Sequence, residues 1–524
     1  MKNIYLILFA LSLFLKSFYV WGQQSPPPDQ ECFMILAGKN TTVDKSVMIA
    51  YNNENTVNET SYLKKYPGTS YDSTDYVLLG NGDTIPQKEY IPEWFILQTK
   101  NGVLKGNAVA VNEFKVAIGG GISLARDRNL KARKADPLKK NGLTGKIRYI
   151  VLQRARSARE AVRLLGQYYN EYGISTASGI AIADKNEIWY METGGGTHWA
   201  AIKLPPDICW IQGNSYRIGY IQPDNDDVLA SPGLQDFARQ KGLWEPGKDL
   251  FNFAEVFGGR IRKKDSVSNR HFRRIWRAIN ILAPSQEVSP DQYSFPTRVR
   301  PDKKISTQNL MTILRDEYRD TKFYPYSADT IMMLDTIQQL DTLYEKDRIS
   351  QIDTSYQVDT LFRIDSSSLK ERPIASSQTV HSSIIQIREG FHYGIASIIW
   401  TALGSPVTSP YVPFYFGIKE VPEPYDSKTP DSQKAFSYFH QLAKLYYQNP
   451  AKYKAQFPEV FYEYQQTCFE EQRNIDKNVF RLYMNSQKMA SLFLTVSVDG
   501  LGQEAMDVVK SNIESLSGKE NQNK

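Results

Sequence analysis

Residues 31–55 read ECFMILAGKNTTVDKSVMIAYNNEN. Within them, Cys32–Ala37 and Ser46–Tyr51 alternate apolar and small residues around the turn-forming segment GKNTTVD. That pattern predicts a β-hairpin. Immediately before it lies QQSPPPDQE, residues 23–31, with three consecutive prolines. Prolines fix φ and remove backbone donors, so this leader is extended and cannot enter a sheet interior. Cys32 therefore opens the first core strand directly after a dispensable segment.

Outward from the hairpin, the pattern repeats. Asn107–Val111 and Val116–Ile122 predict a second hairpin turning at Asn112, Glu113 and Phe114. From Ile147 to Tyr169 the apolar positions Ile150, Val151, Ala158, Ala161, Val162, Leu165 and Tyr169 recur at helical spacing. The run ASGIAIADKNEIWYMETGGGTHWAAIKL then predicts three strands joined at DKNE and GGG. Strand groups separated by an amphipathic helix point to layered sheets covered by helices, an α/β (α+β) class. A further helix is predicted over Phe272–Leu282. Beyond Ser432 the chain reads as helical, with Phe436, Phe439, Leu442, Leu445 and Tyr446 as a core stripe.

Composition limits the functions. The chain has 524 residues, 41% hydrophobic and 23% charged, which excludes a disordered or collagen-like protein. Its net charge of +6 is dispersed, so no nucleic-acid partner is expected. Three cysteines exclude a disulfide scaffold. The histidines His198, His271, His381, His392 and His440 form neither an HExxH pair nor a Cys–His zinc spacing, so no metal and no cofactor are expected. At the N-terminus a lysine precedes the apolar run Ile4–Leu15, which is too short for a membrane span and fits a secretory signal peptide over residues 1–22. The expected location is secreted or periplasmic, without stable membrane insertion.

One segment stands apart. Asp329, Asp335, Asp341, Asp347, Asp353, Asp359 and Asp365 follow a strict period of six. Six is a multiple of the strand period, whereas on a helix it would scatter the aspartates around the circumference. The expectation is an extended insertion over about 328–367, structural or adhesive in role. The glycines of calcium-binding β-repeats are missing from it.

Cys32 is the candidate for chemistry. Cys209 sits inside the apolar run DICWIQG, and Cys468 lies in a helical stretch. Cleavage of the Glu31–Cys32 bond would give Cys32 its own α-amine, whose ordinary pKa of about 7.7–8.0 suits proton exchange with the thiol. An inert buried cysteine is the competing reading from residues alone.

Residues 31–55 resemble the start of the bacterial cysteine dipeptidases related to dipeptidase A, which are N-terminal-nucleophile hydrolases. GNAVAVNEFKVAIG, YMETGGGTHWAAIKLP, IQGNSYRIGYI, RRIWR, TVHSSIIQIRE and WTALGSPVTSPYVPFY follow in the family's order, spanning 32 to about 415. The resemblance implies a four-layer αββα sandwich over 32–415, a helical C-terminal region over 416–524, and removal of the pro-segment 23–31. It implies hydrolysis of small peptides, such as dipeptides, through an acyl-enzyme on an exposed Cys32 thiol. Asn214 in IQGNSY would match an oxyanion-stabilising asparagine. Glu54 would fall where an aspartate contacts the nucleophile's amine, and Arg274 would match an active-site arginine of the related acylases. His381 belongs to a family string, with a structural or a catalytic role.

The chain also departs from the family. Relatives carry Arg-Asn-Glu-Asp where this chain has Tyr51-Asn52-Asn53-Glu54, and some carry an acidic residue where it reads Gly119-Gly120-Gly121. A non-peptide amidase of the penicillin or bile-salt acylase kind, and a non-catalytic envelope binding protein, stay open as alternatives. So does assembly into a homo-oligomer.

Overall fold

The computed structural model describes residues 32–326 and 371–521, except 56–58, 73, 125, 127–128, 223–224, 261–265, 293 and 454–455. The apolar N-terminal run, the proline-rich leader and the aspartate repeat lie outside the described residues.

The opening hairpin forms as read, with strands Phe33–Ala37 and Val47–Glu54 antiparallel. It sits in the middle of a six-stranded sheet. Cys209–Gln212 flanks it on one side, and Thr379–Ile387, Ser397–Leu403 and Val412–Tyr415 follow on the other. The second hairpin, Val109–Asn112 and Ala117–Ser123, also forms. So do the three strands Ser178–Ala183, Ile188–Gly195 and His198–Leu204. These five join Val228–Ala230, Trp94–Thr99 and Ser61–Tyr66 in an eight-stranded sheet whose neighbours are all antiparallel.

Strand alternation explains how the layers stack. Phe95, Leu97, Val109, Val111, Ala181 and Tyr190 share one core with the opening hairpin. Their neighbours Ile96, Ala108, Ala110, Ile180, Ile182 and Trp189 share a second core with helices Lys146–Leu152 and Ala158–Tyr172. One face of the eight-stranded sheet thus meets the other sheet, and its other face meets helices. The two sheets approach closely where Gly119 and Gly120 lie. A Cβ at Gly119 would come within 2.7 Å of Ile49, and Gly120 has φ +71°, which favours glycine. Helices Ser266–Leu282, Thr307–Leu314 and Ala435–Gln448 pack against the six-stranded sheet.

The helix predicted over Ile147–Tyr169 is two helices. Ser157 is extended and accepts the N–H of Glu160, while Glu160 accepts the N–H of Arg156. This Ser-x-x-Glu signal starts a new helix, and the apolar periodicity on either side conceals the break. The helix predicted over Phe272–Leu282 begins earlier, at Ser266. In the tail, Phe436, Phe439, Leu442 and Tyr446 are buried and Leu445 is partly buried. The long helices Gln456–Tyr483 and Gln487–Asn521 are tied to the body by the Tyr425 hydroxyl donating to Gly502 O, at 2.8 Å, and by the Arg388–Asp476 ion pair. No helix among the described residues is long and apolar enough to cross a membrane.

Candidate active site

Cys32 directly precedes the strand Phe33–Ala37. In the hairpin register Met34 lies opposite Tyr51, so these side chains share a face, and by alternation Cys32 lies on that face too. A tyrosine is long enough to cross the diagonal. Its hydroxyl donates to the Cys32 Sγ at 3.0 Å. Asn53 Oδ1 at 3.7 Å and Glu54 O at 4.0 Å are the acceptors around the same sulfur. The thiol expected to be exposed is fully buried. Tyr51, Asn53, Glu54 and Arg274 gather at the strand end, which local sequence does not reveal. Burial pushes the Cys32 thiol up to about 11, against the lowering influence of the Tyr51 hydrogen bond. The sulfur is therefore protonated at neutral pH in this state.

The four residues singled out in the sequence meet through one guanidinium. Arg274, fully buried on helix Ser266–Leu282, donates to Cys32 O at 3.3 Å and to Asn214 Oδ1 at 2.9 Å. It also lies 3.6 Å from Glu54 Oε2. Its neighbours in RRIWR are directed elsewhere, Arg273 to Glu371 and Arg277 to Asp316. Glu54 ends the strand Val47–Glu54 and is fully buried. It accepts from Arg372 Nη2 at 2.7 Å and Ser376 Oγ at 3.0 Å. It meets Cys32 through its backbone oxygen, while its carboxylate is directed at the two arginines.

Asn214 follows the edge strand Cys209–Gln212, whose register with Phe33–Ala37 carries it toward Cys32. Its backbone has φ +59°, a left-handed conformation that asparagine tolerates better than most residues. Its Nδ2 donates to Ser123 O at 3.0 Å, bridging the two sheets. The chain beyond it is pinned by Glu192, which accepts the N–H groups of Arg217 at 2.6 Å and Ile218 at 3.0 Å. Burial pushes Glu192 up to about 8, although those N–H groups favour its charged form. A cavity of about 860 Å³ opens just past Asn214, lined by Trp210, Ser215, Tyr216, Arg217 and Phe295 among others; Cys32, Glu54 and Arg274 are not among its walls.

His381 is not in contact with the sulfur. Its Nδ1 pairs with Ser61 Oγ at 3.0 Å, linking the sheets, and burial lowers its pKa to about 3, so it is neutral. Cys209 is buried in its strand and Cys468 in its helix, and burial pushes both thiols up to about 12. Arg372 and Ser376 carried no signal in the sequence, and Asn53 was visible only as part of a departure from the family. Tyr51 was visible only as a departure from the family.

Among the described residues, no side chain touching the sulfur is a base at neutral pH. Tyr51 is a donor, and Asn53 is a neutral amide. What the arrangement offers is a cysteine thiol, a buried cation–carboxylate frame around its backbone, and an amide bound to the same guanidinium.

The profile of Peptidase family C69 matches residues 31–460. A probable dipeptidase of Salmonella dublin is 27% identical over 408 residues, covering 76% of this chain and 84% of the relative. A probable dipeptidase of Latilactobacillus sakei is 28% identical over 405 residues, covering 75% and 76%. Dipeptidase A of Lactobacillus helveticus is 23% identical over 502 residues, covering 90% and 96%.

Proposed function

Because the chain belongs to peptidase family C69, we propose that it is a dipeptidase that cleaves small peptides through Cys32 as an N-terminal nucleophile. The observation that carries this reading is the convergence of Cys32, Glu54, Asn214 and Arg274 on one buried guanidinium. The names of the relatives support a dipeptide substrate.

The N-terminal part of the reading rests on the place of Cys32 at the start of the first strand, directly after the proline-rich leader. Once the Glu31–Cys32 bond is cut, the Cys32 α-amine takes the thiol proton. The thiolate attacks the substrate carbonyl, and the resulting oxyanion is held by Asn214, whose amide carries two N–H bonds. The ammonium protonates the leaving amine, the C–N bond breaks, and a thioester remains. Water attacks the thioester with the amine as base, releasing the acid and restoring the thiol. Arg274 and Glu54 hold the Cys32 backbone in place throughout.

The same reading gives residues 1–22 as an export signal and 23–31 as a removed pro-segment. It gives 32–415 as a four-layer N-terminal-nucleophile sandwich followed by a helical region. The active form is expected to begin at Cys32, which intact-mass measurement of the purified protein checks. An active protein that keeps Gln23–Glu31 overturns the α-amine mechanism. Comparing free with N-acetylated dipeptides separates the readings further, since preference for the acetylated substrate favours an acylase.

Asn214→Gly keeps the left-handed backbone and removes only the amide. It is expected to lower kcat by about 10²–10³ with KM nearly unchanged, as for loss of one oxyanion donor. Steady-state kinetics beside a melting curve decide the matter. A near-normal kcat with a lowered melting temperature would reduce Asn214 to a bridge between sheets.

A further inference from the structure

We propose that Tyr51 is a catalytic hydrogen-bond donor to the Cys32 sulfur, selecting the thiolate over the thiol. The proposal rests on Cys32 being the nucleophile and assigns a residue that the mechanism above does not use.

Among the described residues, three groups hydrogen-bond with the sulfur, and they divide by what they offer. Asn53 Oδ1 and Glu54 O can only accept, so they suit an S–H and oppose a bare thiolate. Tyr51, at 3.0 Å, is the donor among them. A hydrogen bond to a charged partner is about twice as strong as one between neutral groups, so the phenol gains most when the sulfur is ionised. Without it, the thiolate would face these two oxygens, with its own α-ammonium as the donor the mechanism supplies.

Tyr51 is also built to remain a donor. It is fully buried, and burial, followed by the adjacent sulfur, pushes the phenol well above its ordinary value. It therefore keeps its proton while the thiol loses one to the α-amine. Gly120 lies against its ring, where a Cβ would come within 3.0 Å, so the ring's position is fixed from the opposite sheet. The titratable and charged groups facing the pair are Glu54 from its own strand, Arg274 from helix Ser266–Leu282, Tyr149 from helix Lys146–Leu152 and His381 from Thr379–Ile387. His381 is held neutral by burial, and Arg274 is engaged with Cys32 O and Asn214.

The expected consequence has a distinctive form. Removing the donor should raise the titration midpoint of the thiol by about 1–2 pH units. Intrinsic nucleophilicity rises with thiol pKa, with a Brønsted slope of about 0.4–0.5, so reactivity at neutral pH falls by only about 3–10-fold. Above both midpoints the donor-less variant, no longer held back by a hydrogen bond, becomes the faster one.

The test is the rate of iodoacetamide alkylation of Cys32 against pH, in purified protein of verified N-terminus, with modification located by peptide mass. Wild type is compared with Tyr51→Phe, which deletes one oxygen, and with Tyr51→Met, which carries the same prediction if the first variant does not fold. The expected result is a raised midpoint with crossing profiles. An unmoved midpoint overturns the proposal. Uniform slowing at every pH also overturns it, assigning Tyr51 to packing. Dipeptide hydrolysis is followed on the same samples. If alkylated Cys32 still turns over substrate, the assignment of the nucleophile fails, while the profiles still report on Tyr51.

Discussion

Cys32→Ala is expected to abolish dipeptide hydrolysis, a loss of roughly 10⁴–10⁶-fold in kcat, while the protein stays folded. A nucleophile that works as one unit with its proton carrier leaves nothing for the remaining groups to activate, so its removal costs about as much as removing the whole set. The burial of Cys32 changes the stability side of the prediction. Deleting a buried sulfur leaves a small void and deprives Tyr51 of its acceptor, at a cost of about 1–2 kcal/mol. Turnover assays and a urea midpoint on the same preparation check both halves. Substantial activity in folded Cys32→Ala would place the nucleophile elsewhere.

Arg274→Met is expected to be the most destabilising substitution in the site, by about 3–5 kcal/mol. The guanidinium is fully buried and serves Cys32 O, Asn214 Oδ1, Arg270 O and the Glu54 carboxylate together. Methionine fills the volume and satisfies none of them. Glu54 keeps Arg372 as a partner, so the loss belongs in the lower half of that range. Arg274→Lys should rescue little, because an ammonium is a point charge and cannot fork to several acceptors. Adding Glu54→Gln to Arg274→Met should restore part of the stability by removing the less compensated charge. Denaturation midpoints of the single and double variants decide this. Additive losses would show that the two side chains do not act as a pair.

Local patterning in the sequence went a long way toward the fold. The two hairpins, the three-strand run and the helical tail were all legible, because apolar period and turn chemistry act within a few residues. The single helix expected over Ile147–Tyr169 failed at Ser157, where a capping signal overrides an uninterrupted apolar stripe. The aspartate repeat lies outside the described residues, so its expected role stands where the sequence left it.

The site was less legible. Cys32 stood out through its position after the proline-rich leader, but Glu54, Asn214 and Arg274 were named only through family resemblance. Arg372 and Ser376 were missed, since they meet Glu54 across 318 and 322 residues of chain. No local pattern marks a partner at that distance.

The sequence by itself determined the two hairpins, the three-strand run, the helical tail and which cysteine opens the first strand. Those outcomes follow from side-chain periodicity and backbone restriction, which need no distant neighbour. Only the tertiary structure decided that the thiol is buried, that Tyr51 rather than a charged residue donates to it, and that one guanidinium joins Cys32, Glu54 and Asn214. Buried polar groups must find partners, and which partner each finds depends on sheet register and layer packing.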